Sequence, residues 1–179
     1  MYGEPLHPSV NPYDWLGKGI YFWEYGPQRA LEFAHEQKAR GKVQNPAVLG
    51  AYIHLGRCFD LTDTQNTSQL STAFALWSQA LDAQGLQLPV NRKGKDGGDD
   101  ILLRFRDCAL LNWYMEQLDY EDESGYYQTV RGVFVEGEPA YEGAAIYTKT
   151  HIQIAVREQT CILGYFAPNP FQHKDEDNE

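Results

Sequence analysis

The chain has 179 residues, of which 42% are hydrophobic and 13% aromatic, and this composition suits one globular domain rather than a disordered chain. A formal net charge of −10 argues against a broad nucleic-acid interface, which needs a basic face, but does not exclude a small contact. No apolar run approaches the roughly 20 residues of a membrane helix and no leader pattern is present, so we expect a cytoplasmic protein without membrane contact.

The three cysteines, Cys58, Cys108 and Cys161, are widely separated in apolar stretches. Their odd number and the lack of Cys-x-x-Cys spacing disfavour a disulfide framework and a zinc site. We therefore expect free, buried thiols and no bound metal. The pattern predicts a single domain over residues 1–168 and an acidic, solvated tail over residues 169–179.

A glycine-rich turn, a strand and a helix follow one another in the first quarter of the chain. Gly17 and Gly19 enclose a lysine, and an apolar β-type run occupies residues 20–23. Pro27 suits the first turn of a helix, which we predict over residues 27–40 and which a glycine ends. A strand placed in this way commonly lines a ligand cleft, although ordinary hairpin packing produces the same pattern.

The next two elements are a strand and an amphipathic helix. Residues 47–55 form a mostly apolar stretch that we predict as a strand, continued after a kink at Gly56. Ser68 is the predicted N-cap of the helix, whose apolar residues recur at helical spacing until Gly85.

A long loop separates that helix from a further one. Residues 89–100 contain three cations and several glycines, which could contact phosphates but more simply form a surface loop. Asp99 or Asp100 is the predicted cap of a helix over residues 101–118. Asn112 lies on the apolar face of this helix and therefore requires a hydrogen-bond partner.

Three strands are predicted in the last third of the chain, over residues 129–136, 151–157 and 161–166. The second alternates cleanly, so its β-branched residues face one way while His151 and Gln153 face the other. We expect the third strand to pair with the second across a short turn.

The run Gly17-Lys18-Gly19-Ile20-Tyr21-Phe22, with Arg29-Ala30 and an aromatic after it, resembles the second signature of the poly(ADP-ribose)-polymerase-like ADP-ribosyltransferases. The longer context is similar to a bacterial and phage branch of that family, most clearly over residues 6–34 and also over residues 128–168. The resemblance implies an α+β fold with split antiparallel β-sheets flanked by helices and an NAD cleft between them. It implies NAD as co-substrate.

The resemblance also implies roles for single residues. Tyr21 would stack on the nicotinamide of NAD, where core packing is its alternative, and Phe33 would close the other side of the ring. Arg131 would contact a pyrophosphate, or else pair with an acid such as Asp107. The implied cofactor-binding set is Gly19, Tyr21, Phe22, Arg29, Phe33 and Arg131.

Members of the family place a catalytic Glu at the start of a late strand, and this chain departs from that pattern. Counting back from residues 161–166 places the position near Gln153, with His151 as the neighbouring candidate. Glu136 and Glu138 are a further alternative, although we expect both to be solvated loop acids. The Tyr-His-Gly strand that begins the family's domains has no counterpart in residues 1–13.

The resemblance thus implies a mono-ADP-ribosyltransferase, with polymer synthesis disfavoured because a Gln carries no negative charge. Its acceptor would be a protein or a nucleic acid, and such domains occur as toxins with a protein antitoxin or in phage defence. Two alternatives stay open: a catalytically inactive binding module of the same fold, and an NAD glycohydrolase with water as acceptor.

Overall fold

Three α-helices and six strands form the part of the chain that the computed structural model describes, residues 6–94, 100–121 and 126–168. The helices are α1 (Pro27–Ala39), α2 (Thr64–Ala83) and α3 (Phe105–Glu121). The strands are β1 (Ile20–Trp23), β2 (Gly50–Ile53), β3 (Cys58–Asp60), β4 (Thr129–Phe134), β5 (His151–Val156) and β6 (Ile162–Phe166). The predicted tail and Asp99 lie outside the described residues.

The strands form two separate small sheets. The larger has the order β1-β5-β4-β3, and the smaller pairs β2 with β6. The predicted α+β class is therefore confirmed. The larger sheet is mixed rather than purely antiparallel, because β3 and β4 pair in parallel and the long connection between them holds α2 and α3.

The prediction that the last strand pairs with the strand before it is wrong, because β6 pairs with β2. A short 3-10 turn, Gln159–Cys161, separates β5 from β6, and the Glu158 side chain caps it by accepting from the Thr160 amide. The Cys161 carbonyl then accepts from the His54 amide at 2.8 Å. These bonds lead the chain away from the larger sheet and onto β2.

Two helices begin at other residues than predicted. Asp63, not Ser68, caps α2, and its Oδ1 accepts from a backbone amide of the first turn at 2.8 Å. Backbone bonds between Arg92 and Leu103 hold the residues before α3 extended, so α3 starts only at Phe105. Asp100 caps no helix, since it accepts from a backbone amide in the β4–β5 connection.

The larger sheet buries both of its faces. One face, which we call the α3 face, carries Val130 and Ala155 and packs against Leu111 of α3. The other, which we call the β6 face, carries Ile154 and Val156 and packs against the segment around β6. Adjacent residues of one strand therefore enter different core clusters.

Asn112 has the partners that its place on the apolar face requires. Its Oδ1 accepts from the Lys18 amide at 2.8 Å, and its Nδ2 lies 3.5 Å from the Cys108 sulfur. Gly17 has a φ of 77°, and a Cβ there would meet Asn112 Oδ1 at 2.6 Å. Asn112 therefore ties α3 to the glycine turn before β1. All three cysteines are free, as predicted, and two of them are buried.

Candidate functional site

The pairing of β1 with β5 brings predicted site residues of both strands side by side. Tyr21 lies opposite Ala155, and Trp23 lies opposite Gln153. Paired residues project to the same side of a sheet, and the side alternates along each strand. Tyr21, Trp23, His151 and Gln153 therefore all lie on the α3 face.

Two predicted cofactor residues lie on the opposite, β6 face. Phe22 packs against the core cluster of that face. Arg131 donates from Nε to Glu24 Oε2 at 2.6 Å and from Nη1 to Asp60 Oδ2 at 2.9 Å. The hydrogen bond to Glu24 is the main reason that the pKa of Arg131 is raised. Arg131 thus pairs with two acids, neither of which is Asp107, and stands apart from His151.

Gly19 and Tyr21 have structural roles in the described arrangement. A Cβ on Gly19 would lie 3.1 Å from the Ala155 Cβ, so the glycine permits the close approach of β1 to β5. The Tyr21 hydroxyl donates to the Gly17 carbonyl at 2.7 Å and accepts from the Leu16 amide at 3.0 Å. Burial raises the pKa of Tyr21. Tyr21 therefore ties the glycine turn to the core.

His151 and Gln153, which are predicted to be catalytic together with Tyr21, contact each other in a chain of hydrogen bonds. Trp15 Nε1 donates to Gln153 Oε1 at 3.1 Å, and Gln153 Nε2 lies 2.9 Å from His151 Nε2. His151 Nδ1 lies 2.7 Å from the Lys149 carbonyl, which can only accept. The proton is therefore on Nδ1, and Nε2 accepts from Gln153.

The same environment keeps the imidazole neutral. Burial lowers the pKa of His151, and the positive charge of Arg29 acts in the same direction, while the bond to the Lys149 carbonyl opposes both. The Phe134 ring stacks on the imidazole with centroids 5.2 Å apart. The Arg104 guanidinium lies 4.2 Å from the centroid of the Phe134 ring on which His151 stacks.

Arg29 connects helix α1 with a buried acid. Its Nη2 lies 3.6 Å from Glu136 Oε2, and its Nη1 lies 3.6 Å from Glu36 Oε1. Glu136 is only 6% exposed, and burial raises its pKa. The expectation of a solvated loop acid is thus wrong for Glu136, because α1 covers it, whereas Glu138 is exposed.

Three buried donors beside this ion pair have no hydrogen-bond partner among the residues that the structure describes: Trp23 Nε1, Arg29 Nε and Arg29 Nη1. Trp23 packs against Phe33 of α1, with ring centroids 5.1 Å apart, and 6.2 Å from the His151 ring. Leaving buried donors unpaired costs free energy, so such a group is a natural place for the acceptor oxygens of a ligand. No residue of α1 is fully buried, so α1 lies at the surface of the fold beside these donors.

We call this set of side chains the His151 cluster. It comprises Trp15, Trp23, Arg29, Phe134, Glu136, His151 and Gln153. A neutral imidazole, a buried carboxylate and a guanidinium lie together here, and such perturbed groups are typical of sites that bind charged ligands or move protons. Sequence reasoning missed Trp15, Trp23 and Phe134 because an aromatic residue in an apolar run reads as core.

The sequence predicts only that His151 lies on the polar face of a strand, and it does not give the protonation state of the imidazole. Nuclear magnetic resonance can detect that state. We expect the long-range ¹H–¹⁵N spectrum of His151 to show the Nδ1-protonated neutral form at pH 7. Because burial lowers the pKa of His151, that form should persist on acidification below the ordinary histidine pKa of about 6.5. Protonation of His151 at or above that pH would contradict its burial and its bonds to Lys149 and Gln153.

Comparisons of the chain with protein-family models, curated proteins and solved structures find no match. Within residues 6–94, 100–121 and 126–168, no helix is long and apolar enough to cross a bilayer. The same residues include no group of three or more His, Cys, Asp or Glu placed to hold a metal ion. The His151 cluster is therefore the basis for a functional proposal.

Proposed function

We propose that this chain is an NAD-dependent mono-ADP-ribosyltransferase that cleaves the nicotinamide–ribose bond at the His151 cluster. The observation that carries the proposal is the β1–β5 register. It places the Gly-Lys-Gly-Ile-Tyr-Phe strand, which resembles the nicotinamide-binding strand of that family, directly beside the strand that bears His151 and Gln153. Tyr21 and Trp23 of β1 project to the same α3 face as His151 and Gln153 of β5.

The chemistry requires an environment that tolerates positive charge on the ribose. As the bond to nicotinamide breaks, its electron pair leaves with the nicotinamide, and an oxocarbenium-like ribose remains. The buried carboxylate of Glu136 would stabilise that charge when ionised, and Gln153 would hydrogen-bond a ribose hydroxyl. The acceptor's nucleophile then bonds to the anomeric carbon, and its proton passes to His151 Nε2 once the substrate has displaced Gln153.

Binding would use the donors that lack partners. Trp23 Nε1 and Arg29 Nε suit acceptor oxygens of NAD, and the rings of Trp23 and Phe33 offer apolar surface to the nicotinamide. Tyr21 would support this strand through the glycine turn. We further propose that the acceptor is a macromolecule and that the protein acts in the cytoplasm, as a toxin restrained by an antitoxin protein or as part of a phage-defence system.

The test is nicotinamide release from NAD by the full chain. We expect His151→Ala and Gln153→Ala each to reduce the rate by at least about 100-fold, the usual scale for a positioned proton-transfer or hydrogen-bonding group. His54→Ala is the matched control, because His54 is exposed and follows β2 of the other sheet. Wild-type rates in both cluster variants would refute the proposed site.

A second candidate function is a binding module without catalysis. The observation that favours it is that Trp15, Gln153 and His151 satisfy one another's hydrogen bonds, and that β5 carries no carboxylate. Calorimetry measures NAD binding and the release assay measures nicotinamide, and the two together separate the candidate functions, because a binding module binds NAD without releasing nicotinamide. Labelled NAD then distinguishes transfer, which labels a macromolecule in a cell extract, from hydrolysis, which releases free ADP-ribose.

A further inference from the structure

A cleft of about 580 Å³ lies between the start of α3 and the connection from β4 to β5, and it is lined neither by His151 nor by Gln153. Its volume is within the range of small-ligand sites. Apolar side chains form part of its wall and remain open to solvent, with Ile101 47% exposed, Val135 52% and Tyr147 37%. Such a wall suits the aliphatic part of a ligand.

Three carboxylates line the same cleft. Asp100 is held in place by accepting from the Gly137 amide at 3.0 Å, and Asp107 by accepting from Asn91 Nδ2 at 2.9 Å. The Glu138 carboxylate has no hydrogen bond or ion pair to any residue that the structure describes, although its backbone amide does. The cleft therefore has two oriented acids and one that is available to a ligand.

Arg104 is the cation among the residues that line the cleft, and it compensates little of the negative charge of the three carboxylates. Arg104 is 22% exposed, its guanidinium lies over the rings of Trp15 and Phe134, and its Nε donates to the Ile101 carbonyl. Its Nη1 is 4.0 Å from Asp107 Oδ2, at the outer limit of an ion pair. Three acids and one arginine turned towards aromatic rings leave a negative potential in the cleft.

We propose that this cleft binds an alkyl cation, a guanidinium or ammonium group carried on an aliphatic chain. The charged group would contact Glu138 and Asp107, and the chain would lie along Val135 and Ile101. An anion would meet three carboxylates, and a purely apolar ligand would remove water from those carboxylates without replacing their hydrogen bonds. No residue that lines the cleft belongs to the His151 cluster, although Arg104 lies over the rings of Trp15 and Phe134. Occupation of the cleft requires no NAD.

A matched pair of probes tests the charge requirement. Butylguanidinium and butylurea have nearly the same shape, but only the first is charged. We expect butylguanidinium to shift the backbone amide signals of Val135, Gly137 and Tyr147 in ¹H–¹⁵N spectra, with an affinity at least about tenfold above that of butylurea, as for a charge-assisted hydrogen bond. Equal affinities, or no shifts at these amides, would overturn the proposal.

A matched pair of variants tests the location. Glu138→Gln should weaken butylguanidinium binding about two- to fivefold, the scale of a solvent-exposed ion pair. Glu142→Gln removes the same charge from the same connection, but Glu142 does not line the cleft. An equal loss in both variants would show attraction by the overall negative charge and would refute the site. Unchanged spectra of both ligand-free variants verify the fold.

The source of the cation is decided by a third probe, a blocked tripeptide with a central arginine. Tighter binding of the peptide than of butylguanidinium assigns the cleft to a basic side chain of a partner protein, and weaker binding assigns it to a free small cation. All titrations are carried out without NAD. A failure here therefore leaves the transferase proposal intact, and loss of nicotinamide release does not affect this binding.

Discussion

Arg29→Met is expected to lower the free energy of unfolding by about 3 kcal/mol at pH 7, because the variant leaves the Glu136 carboxylate buried without its cation. The side chains of Arg29 and Glu136 are 14% and 8% exposed, so water replaces little of the lost interaction. Arg29 Nη2 and Glu136 Oε2 are 3.6 Å apart, which is longer than a hydrogen bond. We therefore expect a loss of stability at the lower end of the range for broken buried ion pairs. Urea unfolding measures it.

The stability that Arg29→Met loses should be smaller at acidic pH than at neutral pH. Burial raises the pKa of Glu136 in the folded protein above its unfolded value. A group of this kind supports the fold fully below its unfolded pKa, and that support is lost as pH rises through the folded pKa. Removing Arg29 raises the pKa of Glu136 in the folded protein further. We therefore expect the free energy of unfolding of Arg29→Met to fall short of the wild-type value by less at pH 5 than at pH 7.

Two controls separate the ion pair from the loss of packing. Arg29→Met combined with Glu136→Gln removes the buried charge, and we expect it to recover most of the stability at pH 7. Lys38→Met removes a cation from the exposed last turn of α1 and should change the stability by less than about 0.5 kcal/mol. A deficit that is independent of pH, or equal in Lys38→Met, would contradict the buried pair.

Gly132→Ala is expected to destabilise the fold by about 2 kcal/mol through overpacking. A Cβ at this position of β4 would lie 2.7 Å from Trp15 Cη2 and 3.2 Å from Leu16 Cδ2. Trp15 is 9% exposed and has little room to move. Its displacement should break the bond from Trp15 Nε1 to Gln153, so the variant should also shift the side-chain amide signals of Gln153.

Gly164→Ala is the matched control for this substitution. Gly164 also lies within a strand, β6, but a Cβ there would meet no heavy atom of the described part of the chain within 4 Å. We expect a neutral effect or a gain of about 0.4–1 kcal/mol, because alanine restricts the unfolded chain. Equal unfolding midpoints for the two variants would show that Trp15 does not pack against Gly132.

The sequence by itself determined the elements whose signals are local. The apolar run over residues 20–23 forms β1, Pro27 begins α1, and Gly41 follows the end of α1 with a φ of 73°. The alternation over residues 151–157 correctly separates the two faces of β5, and the requirement of Asn112 for a partner is met. Each depends on turn chemistry or on a periodicity of neighbouring residues, which the sequence displays directly.

Only the tertiary structure decided which of these elements meet. Strand pairing depends on contacts between distant parts of the chain, so the sequence could not show that β6 pairs with β2 in a second sheet and not with β5. Arg131 lies on the β6 face because one step along a strand reverses the side, and Glu136 is buried because α1 covers it from more than 100 residues away. The sequence therefore shows which residue types a site could use, whereas long-range packing decides which of those residues come together.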